Sequence, residues 1–118
     1  MKYTVYQINL SDEQYAAHRE TYLNTTFRPT DEAIVAARGL YKPVAIINAT
    51  SLNDVFLIGN NGLNHPKIKK IDQMHSVSVG DVIVDEDNHA FYVAPMGFNQ
   101  LDLMAEQFTT GNITVNAA

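Results

Sequence analysis

The chain has 118 residues, of which 46% are hydrophobic and 18% charged, and a net charge of −5. That is the size of a single domain, too apolar for disorder, with only 8 Lys and Arg to meet the phosphates of a nucleic acid. Cysteine is absent, which removes disulfides, thiolate nucleophiles and Cys-based zinc sites and favours an intracellular domain.

Residues 2–9 set Thr4, Tyr6 and Ile8 on one face and Tyr3, Val5 and Gln7 on the other. Apolar groups on both faces predict an interior strand. This opening lacks a continuous apolar region and a small-residue cleavage site, so no signal peptide is expected. Ser11 with Gln14 fits a capping box, and Leu10 with Tyr15 fits a hydrophobic staple. A helix is expected from there to about Leu23, with a thin apolar stripe. Thr30 caps a second short helix that starts with Asp31 and Glu32 and buries Ile34, Val35 and Ala37. Gly39 is its expected C-cap, and Lys42-Pro43 closes the segment.

Residues 44–49 read as a short, buried, β-branched strand. Ser51 with Asp54 resembles another cap, and Leu52, Val55, Phe56 and Gly59 lie at helical spacing. This third helix should end in Asn60-Asn61-Gly62, residues that tolerate positive φ. Residues 63–72 read as an irregular crossing segment. Residues 75–84 read as a strand with a bend at Gly80-Asp81, in which Val77 and Val79 alternate with Ser76 and Ser78. Its second half forms a hairpin with residues 89–94. Pro95 stops the second arm, and Leu101, Met104, Ala105 and Phe108 suit one face of a C-terminal helix. Ile113, Thr114 and Val115 suit an edge strand. No apolar run approaches the roughly 18 residues of a membrane span, so the expected location is the cytoplasm.

The expected fold is a single α+β domain over residues 1–118. A mostly antiparallel sheet of about four or five strands packs with three or four short helices.

One block carries a resemblance to a known family. It comprises Leu52-Asn53-Asp54-Val55-Phe56, Asn60, His65-Pro66, the run from His75 through Ser76, Val77, Ser78, Val79, Gly80, Asp81 and Val82 to Val84, Phe91-Tyr92-Val93 and Gly97-Phe98. In order and spacing it resembles the YodL-like family over residues 44–101, and Tyr3 to Ile8 resembles that family's first strand. Residues 11–43 have no counterpart in the match. The family occurs in phages, plasmids and other mobile elements and in some bacterial chromosomes, and brings no catalytic residue to carry over. With the small size and the lack of a catalytic motif, the resemblance implies a non-enzymatic phage or mobile-element accessory protein. It would bind a host protein in the host cytoplasm, for host takeover or defence inhibition. A weaker similarity, in the Gly-Asp-Val strand entry, is to PUA-like and ASCH-like RNA-binding barrels, without their basic, aromatic-lined groove.

Several residues are candidates for that function or for a competing one. Tyr92, Met96 and Phe98 are the expected partner-binding residues, as aromatic and Met groups on a surface favour protein contacts. Ser76, Ser78 and Asp81 are polar positions among valines. They form either an enzymatic site, with His75 beside them, or an Asx-type turn with satisfied hydroxyls, and the turn is the expectation. Lys67, Lys69 and Lys70 are the one basic cluster, suited to a phosphate or an acidic partner and otherwise merely solvated. A nucleic-acid-binding accessory module is thus an alternative reading, though nucleic acid is not the expected partner. Asp85, Glu86, Asp87 and Asn88 lack the Gly and Glu that an EF-hand needs at its sixth and twelfth positions, where Ala90 and Met96 stand. His18, His65, His75 and His89 match no His-x-x-x-His pattern. No metal or cofactor is expected, and a homodimer paired through an edge strand remains open.

Overall fold

A strand with Tyr3 and Val5 on one side and Tyr6 and Ile8 on the other must be covered on both faces, and this decides the architecture. The structure, a computed structural model, describes residues 1–62 and 64–102. Strand β1 (Lys2–Ile8) is followed by helices α1 (Asp12–Phe27) and α2 (Asp31–Ala36) and a 3-10 turn (Arg38–Leu40). Then come β2 (Tyr41–Asn48), α3 (Leu52–Gly59), β3 (Ile68–Lys70), β4 (Val82–Val84), β5 (Ala90–Val93) and β6 (Phe98–Leu101). The strands make one antiparallel sheet of six in the order β3-β2-β1-β4-β5-β6. The fold is α+β, with more strands than the four or five expected, and β1 is interior as expected.

The two faces have separate cores. On one, Tyr3, Val5, Ala45, Ile47, Ile83 and Val93 pack against Val55 and Ile58 of α3 and against Met74 and Val77. On the other, Tyr6, Ile8, Tyr41, Val82, Val84 and Tyr92 pack against Ile34 of α2 and Ala37. The pairing of β1 with β2 slips by one residue after Val5, which leaves Val44 as the extra residue of a bulge. The Val44 carbonyl accepts from the N–H groups of Ile71 (2.8 Å) and Asp72 (3.2 Å), so the bulge anchors the chain as it leaves β3.

The helix starts follow the caps. Ser11 and Gln14 form a reciprocal capping box, Thr30 Oγ1 accepts from Ala33 N (3.1 Å), and Ser51 Oγ accepts from Asp54 N (3.1 Å). Asp54 in turn accepts from the Thr50 N–H at 3.0 Å.

Other expectations need correction. Helix α1 runs past Leu23 to Phe27, with a kink at His18 (φ −123°, ψ 18°). Gly39 is not a left-handed cap: Ala37 caps α2, and Gly39 lies in the 3-10 turn. Strand β2 starts at Tyr41 and passes through Pro43, which stands beside the bulge.

Residues 76–79 alternate in burial as expected, yet residues 75–79 form no strand. Their backbone bonds go to a side chain and to the end of α3: His75 N to Gln7 Oε1 (3.0 Å), and the Val77 carbonyl to Asn60 Nδ2 (2.9 Å). Strand β3 lies in the segment read as irregular, and β6 holds Leu101, which was expected in a helix. The rest of that expected helix, and the edge strand at Ile113, fall outside the described residues. Among the described residues no helix is long and apolar enough to cross a membrane.

Candidate functional site

The polar candidates converge on Gln7. This residue stands between Tyr6 and Ile8 on an interior strand and is wholly buried. A buried amide must find partners, and Gln7 finds them in the segment that crosses over it. Its Nε2 donates to Asp81 Oδ2 and to the His75 carbonyl, both at 2.9 Å, and its Oε1 accepts from His75 N. Asp81 Oδ2 also accepts from Ser78 N (2.9 Å), and Asp81 N donates to the Ser78 carbonyl (3.0 Å). These last two bonds close a tight turn from Ser78 to Asp81, in which the carboxylate reaches back three residues rather than forward two as in an Asx turn. Strand β5 locks it from the other side, through Gly80 N to the Val93 carbonyl and Val93 N to the Asp81 carbonyl.

Asp81 is 5% exposed. Burial pushes its carboxyl up to about 6, against the opposing pull of the Ser78 N–H, the charge of His75 and the Gln7 amide. Gly80 takes φ +92°, and a Cβ there would lie 2.3 Å from the Thr25 carbonyl oxygen of α1. That close approach requires glycine. The buried Tyr41 hydroxyl donates to the Gly80 carbonyl, and burial raises its pKa.

The serines are not gathered into a reactive pair. Both are exposed, and Ser78 Oγ donates to the Ser76 carbonyl at 2.9 Å. His75 Nδ1 lies 2.8 Å from that same carbonyl, an arrangement that needs the Nδ1–H tautomer. A cleft of about 260 Å³ opens beside Asp81, lined also by Tyr22, Thr25, His75 and Ser78. A wider groove of about 560 Å³ shares Ile8, Tyr22 and His75 with it and runs past Tyr15, Lys42 and Asp72. Tyr15 and Tyr22 meet edge to face there, 6.1 Å between ring centres.

The apolar candidates separate. Tyr92 is buried on the α2 face, where its hydroxyl donates to Asp31 (3.0 Å) and accepts from Asn99 (2.9 Å). At 2% exposed it offers a partner no surface, and it lies on the sheet face opposite Val93 and Phe98. Met96 and Phe98 do lie at a surface. Met96 is 91% exposed in the tight turn between β5 and β6, which closes with Ala94 N to the Gly97 carbonyl at 3.0 Å. Phe98 is half-buried and shares a shallow cleft of about 160 Å³ with Asn53 and Phe56 of α3 and with Pro95. Leu57, one residue further along α3, is 65% exposed. Phe56 was read from the sequence only as part of the third helix's apolar spacing and of the resemblance, and Leu57 was not singled out, although two large apolar residues in a row on a short helix cannot both face the core.

The lysines divide as well. Lys67 and Lys69 line a cleft of about 280 Å³ with Lys2, Ile46, Asn48 and Pro66. Lys70 pairs with Ala45, so it points to the other face.

At the β4–β5 hairpin tip, Asp85 Oδ1 accepts from the N–H groups of Asp87 and His89, each at 2.9 Å, and Asp85 Oδ2 lies 3.3 Å from His89 Nδ1. Donor atoms of Asp85, Asp87 and His89 fall within 4.8 Å of one another. Asp85 thereby caps the turn, and Glu86 accepts from Lys2 N at 2.9 Å. Of the other histidines, His18 sits at the kink of α1 and His65 Nδ1 accepts from Lys67 N.

No family model, no curated protein and no solved structure matches the chain. The YodL-like resemblance rests on the residues that carry it.

Proposed function

We propose that the chain is a non-enzymatic accessory protein that binds a host protein through the surface formed by Phe56, Leu57, Met96 and Phe98. The observation that carries the reading is Met96, 91% exposed beside the Phe56–Phe98 cleft, with Leu57 at 65% on the adjoining helix. Apolar side chains gathered at one place on a small domain favour a protein contact. The mobile-element origin is supported by the YodL-like resemblance of the block at residues 75–84. Against catalysis stands the use of Asp81 and Ser78 as the two halves of a turn.

Burying Leu57 or Met96 in an interface is worth roughly 1.5–3 kcal/mol each. Leu57→Asp with Met96→Asp should therefore weaken binding by at least about 100-fold, or 2.7 kcal/mol. The test is capture from a bacterial host lysate by the immobilised chain, wild type against this double variant. A protein retained by the wild type and lost from the folded variant supports the reading. An identical captured set, or none that reproduces, refutes it.

A second reading rests on the open cleft beside Asp81, which suits a small ligand or substrate. It requires a ligand whose binding is lost in His75→Ala or Ser78→Ala, since neither change touches the backbone and Gln7 bonds that hold Asp81.

A further inference from the structure

The chain carries 13 acidic residues against 8 basic ones, yet the fold brings Lys2 beside Lys67 and Lys69, far along the sequence, around one cleft. Lys2 pairs with Asn48, and Asn48 N donates to the Lys67 carbonyl at 3.0 Å, so these three positions form a row across β1, β2 and the entry to β3. Thr4, Ile46 and Lys69 form the next row on the same face. Lys2 and Lys67 are thus about two strand spacings apart, roughly 10 Å, and Lys67 and Lys69 one side-chain repeat, roughly 7 Å. Lysine side chains are long and flexible enough for the three amino groups to close on one anion between them.

This is the part of the sheet that no described helix covers, on the face opposite α3. Among the described residues no carboxylate lines the cleft; its floor is Ile46 and Pro66, with the Asn48 amide at one side. Glu86 approaches from the β4 side and accepts from the Lys2 backbone N–H.

We infer that Lys2, Lys67 and Lys69 form a binding site for a phosphate monoester, with the phosphate among the three amino groups and an uncharged body against Ile46 and Pro66. A doubly charged oxyanion draws most from several cations at once. The concave site of about 280 Å³ holds a small molecule, whereas a nucleic acid would need a longer basic track and would meet the net charge of −5. Edge-guarding against aggregation accounts for Lys67 and Lys69, but not for Lys2, which lies on an interior strand.

The experiment is a chemical-shift titration of the labelled chain at low salt with inorganic phosphate, adenosine monophosphate and adenosine. A 20-nucleotide single-stranded DNA forms the fourth arm. The expected result is saturable shifts at Lys2, Ile46, Asn48 and Lys69 with the two phosphates and none with adenosine, with the monophosphate tighter than inorganic phosphate. Lys2→Met and Lys69→Met should each weaken binding at least fivefold without loss of dispersion elsewhere in the spectrum. Shifts that do not saturate by 20 mM, or that persist unchanged in Lys2→Met, overturn the site. Tighter binding of the oligonucleotide, with a salt dependence of several ions, also overturns it and makes this face a nucleic-acid surface.

Discussion

Replacing Asp81 with Asn keeps an oxygen acceptor for Gln7 Nε2 and the Ser78 N–H and removes the charge. In the folded chain the Asp81 carboxyl takes up its proton near pH 6, against 3.8 for an unperturbed carboxyl. Between those values the native state holds the Asp81 proton that the unfolded state has lost, so the contribution of Asp81 to wild-type stability falls as pH rises from about 4 to about 6. At roughly 1.4 kcal/mol per pH unit the interval amounts to about 3 kcal/mol. This penalty is small at pH 3.5 and nearly complete by pH 7.5. Asn carries none of it. The stability difference between Asp81→Asn and wild type should therefore move in favour of the variant by about 3 kcal/mol between pH 3.5 and pH 7.5. Any fixed offset from the new amide group cancels in that comparison, as do carboxylates common to both chains. Urea denaturation followed by far-ultraviolet circular dichroism at five pH values measures it. A difference that does not change with pH, or that turns against the variant as pH rises, refutes the assignment. It would mean that Gln7, Ser78 and His75 hold Asp81 ionised despite its burial.

Five further substitutions probe the same framework by thermal or urea denaturation. Gly80→Ala combines φ +92° with a contact 2.3 Å from a backbone oxygen and should cost about 3 kcal/mol or more, whereas Gly97→Ala (φ +81°, with open space around it) should cost only about 1–2 kcal/mol; equal losses would refute the close approach of α1. Gly59→Ala would set a Cβ 2.3 Å from Val77 Cγ2 and should cost about 1–3 kcal/mol. Adding Val77→Ala should then cost less than Val77→Ala does alone, and strict additivity would show that the two do not touch. Tyr92→Phe loses the bonds to Asp31 and Asn99 and should cost about 1–2 kcal/mol, while an unchanged midpoint would place the hydroxyl in solvent.

What was legible from the residues is what short-range chemistry decides. Ser11-x-x-Gln14, Thr30 and Ser51-x-x-Asp54 mark helix starts because a cap bonds three residues ahead, within the local sequence. The hairpin of β4 and β5 follows likewise from two short apolar arms separated by a polar turn. What was not legible depends on partners distant in the chain. The valine–serine alternation at 75–79 has the period of a strand, yet Gln7 and Asn60 take its backbone bonds, and only the folded chain brings them there. Strand β3 is three residues long, too short to show a period, and exists because β2 offers it an edge. Tyr92 and Met96 looked alike as aromatic and Met surface candidates. A side chain's place within β5 or in the turn after it decides which one the sheet covers. The same dependence extends to Gln7, a polar residue between Tyr6 and Ile8 on a strand with apolar neighbours on both faces. An amide in that setting needs buried partners from elsewhere in the chain, so its position was the one local sign that a long-range polar lattice would form. Asp81, which the motif displayed openly, is the partner that Gln7 required. The conspicuous Ser-x-Ser-Val-Gly-Asp block is therefore explained in large part by the demands of β1, through Asp81 and the Ser78 N–H.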